Sequence, residues 1–210
     1  MIAVEAGADA LGFVFYKESP RYVSCEVAST ITAVVPDTIE RVGVFAHTSS
    51  EEIRDITAST RMTAAQICLD DNSGGNSRGK FEALAHQGPA LRLLPVISMR
   101  RDDPEQEAKS WNPKAVFAFL LDSGFGGQPG GTGQSFDWSR NAETAASIKR
   151  LRHVIVAGGL TPENVTEAMQ VLAPWGVDVS SGLEARPGKK DPDKLKAFIA
   201  AVRAADRKVQ

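Results

Sequence analysis

The chain has 210 residues, of which 42% are hydrophobic and 24% charged, and its net charge at pH 7 is −2. This composition excludes disorder, collagen and coiled coil, and it lacks the basic surplus of a nucleic-acid-binding protein. The longest apolar run, residues 115–121, is far shorter than a membrane span, and no signal peptide is visible. Two cysteines make no disulfide framework, so we expect a cytoplasmic protein without nucleic-acid or membrane partners.

Seven short apolar runs predict the strands of a parallel sheet. Strands buried on both faces lose strict alternation of apolar and polar residues, as these runs do. The fourth run is the weakest, because Pro95 offers no N–H group to a neighbouring strand. The predicted strands cover residues 10–15, 41–45, 64–68, 91–97, 115–121, 153–157 and 177–180.

Helical patterns alternate with these strands. Ser49 and Glu52 predict a capping box, and Thr161 predicts an N-cap with Pro162 at the first helical position. Asp191 is expected to open the last helix in the same way. Weaker patterns indicate helices over residues 24–35, 78–87, 104–110 and 137–149, and a loop over residues 72–79.

This alternation predicts a parallel α/β fold in one domain, residues 1–210. An eight-fold α/β barrel contains about 200 to 400 residues, so the length lies near the lower limit for that fold. Residues 2–6 resemble the end of a helix that Gly7 closes in a left-handed conformation. We therefore expect a TIM (βα)8 barrel whose first strand and part of whose first helix are missing from this chain.

Two glycine-containing loops follow the sixth and seventh predicted strands, where α/β barrels carry their functional residues. One contains Gly158 and Gly159, and the other contains Ser180, Ser181 and Gly182. Paired loops of this kind frequently bind phosphate, because glycine lets backbone N–H groups approach an anion closely. The alternative is that these glycines only make tight turns.

Single side chains after other strands are further candidates. Asp122 follows the fifth strand, where partial burial would raise the pKa of its carboxyl group to a value that suits a general acid. The alternative is that Asp122 only caps its own loop. Arg21 follows the first strand and could bind a carboxylate with two hydrogen bonds, or lie in solvent. Cys68 ends the third strand, either buried and inert or reactive at the mouth. A glycine-rich loop over residues 130–133 could close over a substrate, and the histidines show no metal-ligand spacing.

Five stretches taken together resemble the phosphoribosylanthranilate isomerase family of tryptophan biosynthesis: residues 7–24, 41–49, 120–138, 156–165 and 176–199. The resemblance implies one (βα)8 barrel that needs no metal or organic cofactor. It implies an Amadori rearrangement of N-(5-phosphoribosyl)anthranilate, a phosphorylated aryl-aminosugar, to 1-(2-carboxyphenylamino)-1-deoxyribulose 5-phosphate. It also implies a monomer or homodimer, with fusion to another enzyme of the pathway as an option.

The resemblance assigns roles to residues of this chain. Asp122 matches the general acid that opens the ribose ring, Arg21 matches the residue that faces the anthranilate carboxylate, and Asp178 lies beside the sugar. The two glycine-containing loops match the phosphate site.

The sequence departs from the family in two places. The family's general base is a cysteine in a Lys-Ile-Cys-Gly stretch that ends the first strand, and no counterpart of that stretch is present. Cys68 stands where the family usually has a histidine after the fourth strand. We expect a truncated or mis-started isomerase, less stable than a full barrel or paired through its open strand edges. The alternatives are a phosphate-binding pseudoenzyme, a related phosphosugar isomerase, and Cys68 as a replacement base.

Overall fold

The computed structural model describes residues 1–69, 76–86, 91–123 and 135–207. Seven parallel strands form one sheet in the order of the sequence, as the apolar runs predict. Two more strands form a separate antiparallel hairpin after the sheet. The strands are β1 (Ala10–Val14), β2 (Glu40–Ala46), β3 (Ala64–Cys68), β4 (Arg92–Ser98), β5 (Ala118–Asp122), β6 (His153–Val156), β7 (Gly176–Val177), β8 (Glu184–Arg186) and β9 (Lys189–Lys190).

Helices connect successive strands of the sheet and cover its outer face. Ser49 and Asp191 cap their helices as predicted, each accepting hydrogen bonds from backbone N–H groups of the first turn. Gly7 follows the first helix with a φ of +97°, also as predicted. The helices are α1 (Ile2–Glu5), α2 (Cys25–Thr32), α3 (Ser50–Thr60), α4 (Asn76–Leu84), α5 (Pro104–Lys109), α6 (Ala142–Lys149), α7 (Val165–Leu172) and α8 (Pro192–Asp206), with a short 3-10 helix at Ser181–Leu183.

Several boundaries differ from the sequence-based expectation. Thr161 does not cap α7, because the helix begins at Val165 with Asn164 as its N-cap residue. The Asn164 side chain accepts a hydrogen bond from the Thr161 N–H at 2.7 Å and donates one to the Gly159 carbonyl at 2.9 Å. These bonds hold residues 161–164 as a turn. Helix α6 also begins later than predicted, α4 overlaps the expected loop over 72–79, and β7 has only two residues.

The sheet is strongly curled. A flat sheet of seven strands would hold its two edges about 29 Å apart. Here Arg21, in the loop after β1, donates hydrogen bonds of 2.7 and 2.8 Å to Glu184, which follows β7. On the other side of the molecule, Arg203 of α8 binds the Asp9 carboxylate just before β1 at 2.7 Å. The edges of the sheet are therefore close, although no strand of the described residues pairs β7 with β1.

Alternate residues of each strand face the inside of the curl. Leu120 and Asp122 of β5 line the interior, and Ala118 packs in a buried cluster with Ala64 and Leu94. Phe119 and Leu121 instead belong to the large core under the helices. Pro95 is tolerated in β4 because it lies at the end of the pairing with β3, directly before the pairing with β5 begins. The alternation therefore directs Asp122, the last residue of β5, into the mouth of the sheet.

Removal of the Asn164 side chain tests how the loop after β6 is held. Asn164→Ala should lower the free energy of unfolding by about 2 kcal/mol, because a part-buried carbonyl and N–H both lose their partner. Asn141 is a matched control, since it is the N-cap residue of α6 and makes one exposed side-chain hydrogen bond. Asn141→Ala should cost less than about 1 kcal/mol in urea denaturation. Equal losses for both variants would show that Asn164 does not hold the loop.

Candidate active site

A cavity of about 900 Å³ runs through the centre of the curled sheet. Its wall includes the loops that follow β1, β5, β6 and β7 at the carboxyl ends of the strands, where α/β barrels carry catalytic groups. The structure brings together every residue that the sequence singled out for the site. Those cavity-lining residues are Arg21, Asp122, Gly158, Gly159, Asp178, Ser180, Ser181 and Gly182.

The two glycine-containing loops pack closely against their neighbours. Gly158 has a φ of +81°, and a Cβ atom at this residue would lie 2.6 Å from the backbone nitrogen of Ser123. A Cβ atom on Gly182 would lie 1.9 Å from the carbonyl oxygen of Leu160. Both glycines are thus required for tight backbone packing between the loops after β5, β6 and β7. The tight turns that the sequence offered as an alternative role for these glycines are therefore present, and they are compatible with anion binding.

Backbone donors are available in these same loops. The N–H groups of Gly159, Ser181 and Gly182 have no hydrogen-bond acceptor among the described residues. Asn164 fixes the loop after β6 through the Gly159 carbonyl, which leaves the Gly159 N–H unengaged. Fixed backbone N–H groups beside a cavity suit a phosphate group.

Two carboxyl groups share the mouth of the cavity. Asp122 accepts a hydrogen bond of 3.2 Å from the Ser123 hydroxyl, and Asp178 follows β7 on another part of the wall. Desolvation by the surrounding protein raises the pKa of Asp178, and the nearby Asp122 carboxylate raises it further. The positive charge of Lys190 and the Val179 N–H act in the opposite direction without reversing the shift. The pair is therefore suited to hold and transfer a proton.

Arg21 is partly buried and forms an ion pair of two hydrogen bonds with Glu184. The Arg21 Nε lies 2.7 Å from Oε1 of Glu184, and Nη2 lies 2.8 Å from Oε2. The Glu184 side chain is 5% exposed. Burial opposes its charge, but the hydrogen bonds and charge of Arg21, with help from Lys190, hold the pKa of Glu184 below its ordinary value.

Sequence reasoning missed Glu184 and Lys190. The Lys190 Nζ lies 2.7 Å from the Ser180 carbonyl oxygen and 3.5 Å from Oε1 of Glu184. Burial lowers the pKa of Lys190, although Glu184 counteracts this effect. Arg21 and Glu184 are 163 residues apart, so no local pattern could have paired them.

The remaining candidates have simpler positions. Cys68 is buried at the end of β3 and lines the cavity, and His47 is exposed beside the Tyr16 ring. Residues 1–69, 76–86, 91–123 and 135–207 contain no cluster of three or more His, Cys, Asp or Glu that could hold a metal ion. The expected closing loop over residues 130–133 lies outside the described residues. Within the part of the chain that is described, no helix is long and apolar enough to cross a membrane.

A curled parallel α/β sheet with its polar groups at the carboxyl ends of the strands is the arrangement of α/β-barrel enzymes. A sequence model of one such family, N-(5′-phosphoribosyl)anthranilate (PRA) isomerase, matches residues 1–201. The chain belongs to the PRA isomerase family, whose members are isomerases of tryptophan biosynthesis.

Individual relatives agree with this assignment. The PRA isomerase of Geotalea daltonii is 38% identical over 205 residues, which cover 95% of this chain and 88% of the relative. A crystal structure of a PRA isomerase with reduced 1-(o-carboxyphenylamino)-1-deoxyribulose 5-phosphate superimposes with a TM-score of 0.79 at 33% identity and covers 97% of this chain and 91% of that one. A crystal structure of monomers generated from the dimeric Thermotoga maritima enzyme superimposes with a TM-score of 0.78 at 34% identity. It covers 97% of this chain and 91% of that one.

The raised pKa of Asp178 predicts a pH-dependent effect of its removal. The unfolded chain loses this proton near the ordinary pKa of 3.8, whereas the folded chain holds it to higher pH, so Asp178 reduces stability as pH rises through that interval. Asp178→Asn should therefore raise the melting temperature at pH 7 and change it little near pH 3.5. The measurement is a pair of thermal melts at the two pH values, with the exposed Asp55→Asn as control. A gain of the same size at both pH values would contradict this account.

Proposed function

We propose that this chain binds N-(5-phosphoribosyl)anthranilate in the central cavity and promotes its Amadori rearrangement to 1-(2-carboxyphenylamino)-1-deoxyribulose 5-phosphate. The observation that carries the proposal is the convergence on one cavity of all eight residues that resemble the family's site. They come from the carboxyl end of β5 and from the loops after β1, β6 and β7, whereas the family assignment rests on residues 1–201.

The substrate has three parts, and the cavity wall offers a matching group for each. We assign the phosphate to the loops of Gly158–Gly159 and Ser180–Gly182, whose backbone N–H groups and hydroxyls suit an anion. We assign the anthranilate carboxylate to Arg21 and the sugar to the region of Asp122 and Asp178. This arrangement would fix both ends of the substrate and leave the reacting carbons beside the two carboxyl groups.

The rearrangement needs an acid and a base. Protonation of the ribose ring oxygen breaks its bond to carbon 1 and gives an open-chain iminium ion. Loss of the carbon 2 proton then gives an enolamine, which becomes the aminoketose by proton shifts, with no net gain or loss of atoms. We propose Asp122 as the acid, since it ends β5 on the inward face of the sheet.

The position of the base follows from the open side of the sheet. In the family the base is a cysteine at the end of a strand that has no counterpart in these residues. We propose that the sheet is that of a (βα)8 barrel, with the place of this strand between β7 and β1. Cys68 lines the cavity from β3, which is separated from that place by β1 and β2. A base on that strand would therefore reach the substrate from another side of the cavity than Cys68 does.

A second candidate function is binding without turnover. The observation in its favour is that the described cavity wall already offers Arg21 and glycine-containing loops, which can hold anions without any proton transfer, whereas turnover also needs a general base that typically contributes about 10²- to 10⁴-fold to rate. In this case the cavity would bind substrate and product while the 210 residues convert them slowly.

Kinetics and binding together separate the two functions. We expect the chain to bind reduced 1-(o-carboxyphenylamino)-1-deoxyribulose 5-phosphate, and Asp122→Asn to keep that affinity while lowering turnover by about 10²- to 10⁴-fold. A version extended by a strand that ends in Ile-Cys-Gly should gain turnover on a similar scale.

Control variants distinguish the isomerase from a protein that binds without turnover. Asp55→Asn, at an exposed site on α3, should change neither quantity. Binding with no turnover in the extended version would favour the binding protein. Loss of turnover on Cys68→Ser alone, with the fold retained, would assign the base to Cys68. Absence of both binding and turnover would refute the proposed function.

A further inference from the structure

We propose that Glu184 is a positioning residue that holds Arg21 for the carboxylate of the substrate, and that Lys190 links this ion pair to the phosphate-binding loop. This inference rests on the proposed function. It adds two residues, neither of which was identified from the sequence, and a physical connection between the two ends of the substrate.

The Arg21 side chain is held along one edge of its guanidinium group. Glu184 accepts from Nε and Nη2, at 2.7 and 2.8 Å. Nη1 has no acceptor among the described residues, so the edge formed by Nη1 and Nη2 remains available to a second carboxylate. A guanidinium fixed in this way can bind a planar carboxylate with two parallel hydrogen bonds.

Burial makes this arrangement rigid. The side chains of Arg21 and Glu184 are 19% and 5% exposed, respectively. Without Glu184, the long Arg21 side chain would sample several rotamers and would have to be ordered when the ligand binds. Glu184 thus orients the binding group before the ligand arrives and need not touch the ligand itself.

Lys190 extends the connection to the loop after β7. Its Nζ donates to the Ser180 carbonyl at 2.7 Å and lies within 3.4 Å of the Ser180 hydroxyl and 3.5 Å of Glu184. One ammonium group therefore bridges the residue that holds Arg21 and the proposed phosphate loop.

The hairpin that carries Glu184 and Lys190 is also packed against the loop of Arg21. Gly188, at the turn between β8 and β9, has a φ of +78°, and a Cβ atom there would lie 2.8 Å from the Pro20 carbonyl oxygen. The Lys194 Nζ further binds the Glu184 carbonyl at 3.2 Å. The ion pair therefore joins two segments that are already in close backbone contact.

Two probes that differ only in the carboxyl group test the proposal. They are reduced 1-(o-carboxyphenylamino)-1-deoxyribulose 5-phosphate and the same compound with a plain phenyl ring, and their affinities are measured by calorimetry. Their affinity ratio reports carboxylate recognition and does not depend on the general base. We expect Glu184→Gln to lower the preference for the carboxylated probe about tenfold. Arg21→Ala should abolish the preference, and Glu184→Gln added to Arg21→Ala should have no further effect on the ratio.

Control variants separate positioning from loss of structure. Glu184→Asp keeps the charge and should retain part of the preference, whereas the exposed Glu143→Gln on α6 should retain all of it. Lys190→Met should weaken both probes, because Lys190 holds the phosphate loop, and should also lower the preference for the carboxylated probe, by less than Glu184→Gln does. An unchanged preference would show that Lys190 does not link the ion pair to that loop.

The outcomes distinguish this proposal from the proposed function. If the unmodified chain binds neither probe, the proposed function is wrong. If it prefers the carboxylated probe and both Glu184 variants keep that preference, the site stands and Glu184 is not a positioning residue. The Glu184→Asp variant answers the same question if Glu184→Gln does not fold.

Discussion

The ion pair between Arg21 and Glu184 connects the two edges of the sheet. Its partners follow the first and the last strand of the sheet, so the pair forms only when seven strands curl until their edges approach. Removing a guanidinium and a carboxylate from water is costly unless the geometry is good. Here both carboxylate oxygens accept hydrogen bonds from Arg21, and Lys190 adds a second positive charge nearby.

The rest of the site is assembled by backbone contacts. Gly158 packs on Ser123, and Gly182 packs on the Leu160 carbonyl, at distances that no other residue would allow. These contacts fix the loops after β5, β6 and β7 relative to one another, whereas the ion pair fixes the loop after β1 relative to them. The loops proposed to bind phosphate are thus held by backbone packing, whereas the arginine proposed to bind the carboxylate is held by an ion pair.

The sequence predicted those features that depend on local patterns. Apolar runs located the seven strands of the main sheet but not the β8–β9 hairpin, and the position of Asp122 directly after such a run placed it at the mouth of the sheet. The predicted start of α7 was wrong because the Asn164 side chain bonds the Thr161 N–H and the Gly159 carbonyl and so holds residues 161–164 as a turn. Glu184 and Lys190 were missed because their roles depend on Arg21, whose distance along the chain hides the contact. Local propensity carries no information about such partners.

The curl of the sheet can be measured in solution as the distance between its two edges. Pulsed dipolar spectroscopy reports this distance between spin labels attached at Lys17→Cys, in the loop after β1, and Lys189→Cys, in β9. The two native cysteines are replaced by Cys25→Ser and Cys68→Ala. If the ion pair holds the edges together, the distances form one narrow distribution well below the ~29 Å of a flat seven-stranded sheet, and the distribution broadens when Arg21→Ala is added. A distribution centred at or beyond ~29 Å, unchanged by Arg21→Ala, would contradict this expectation.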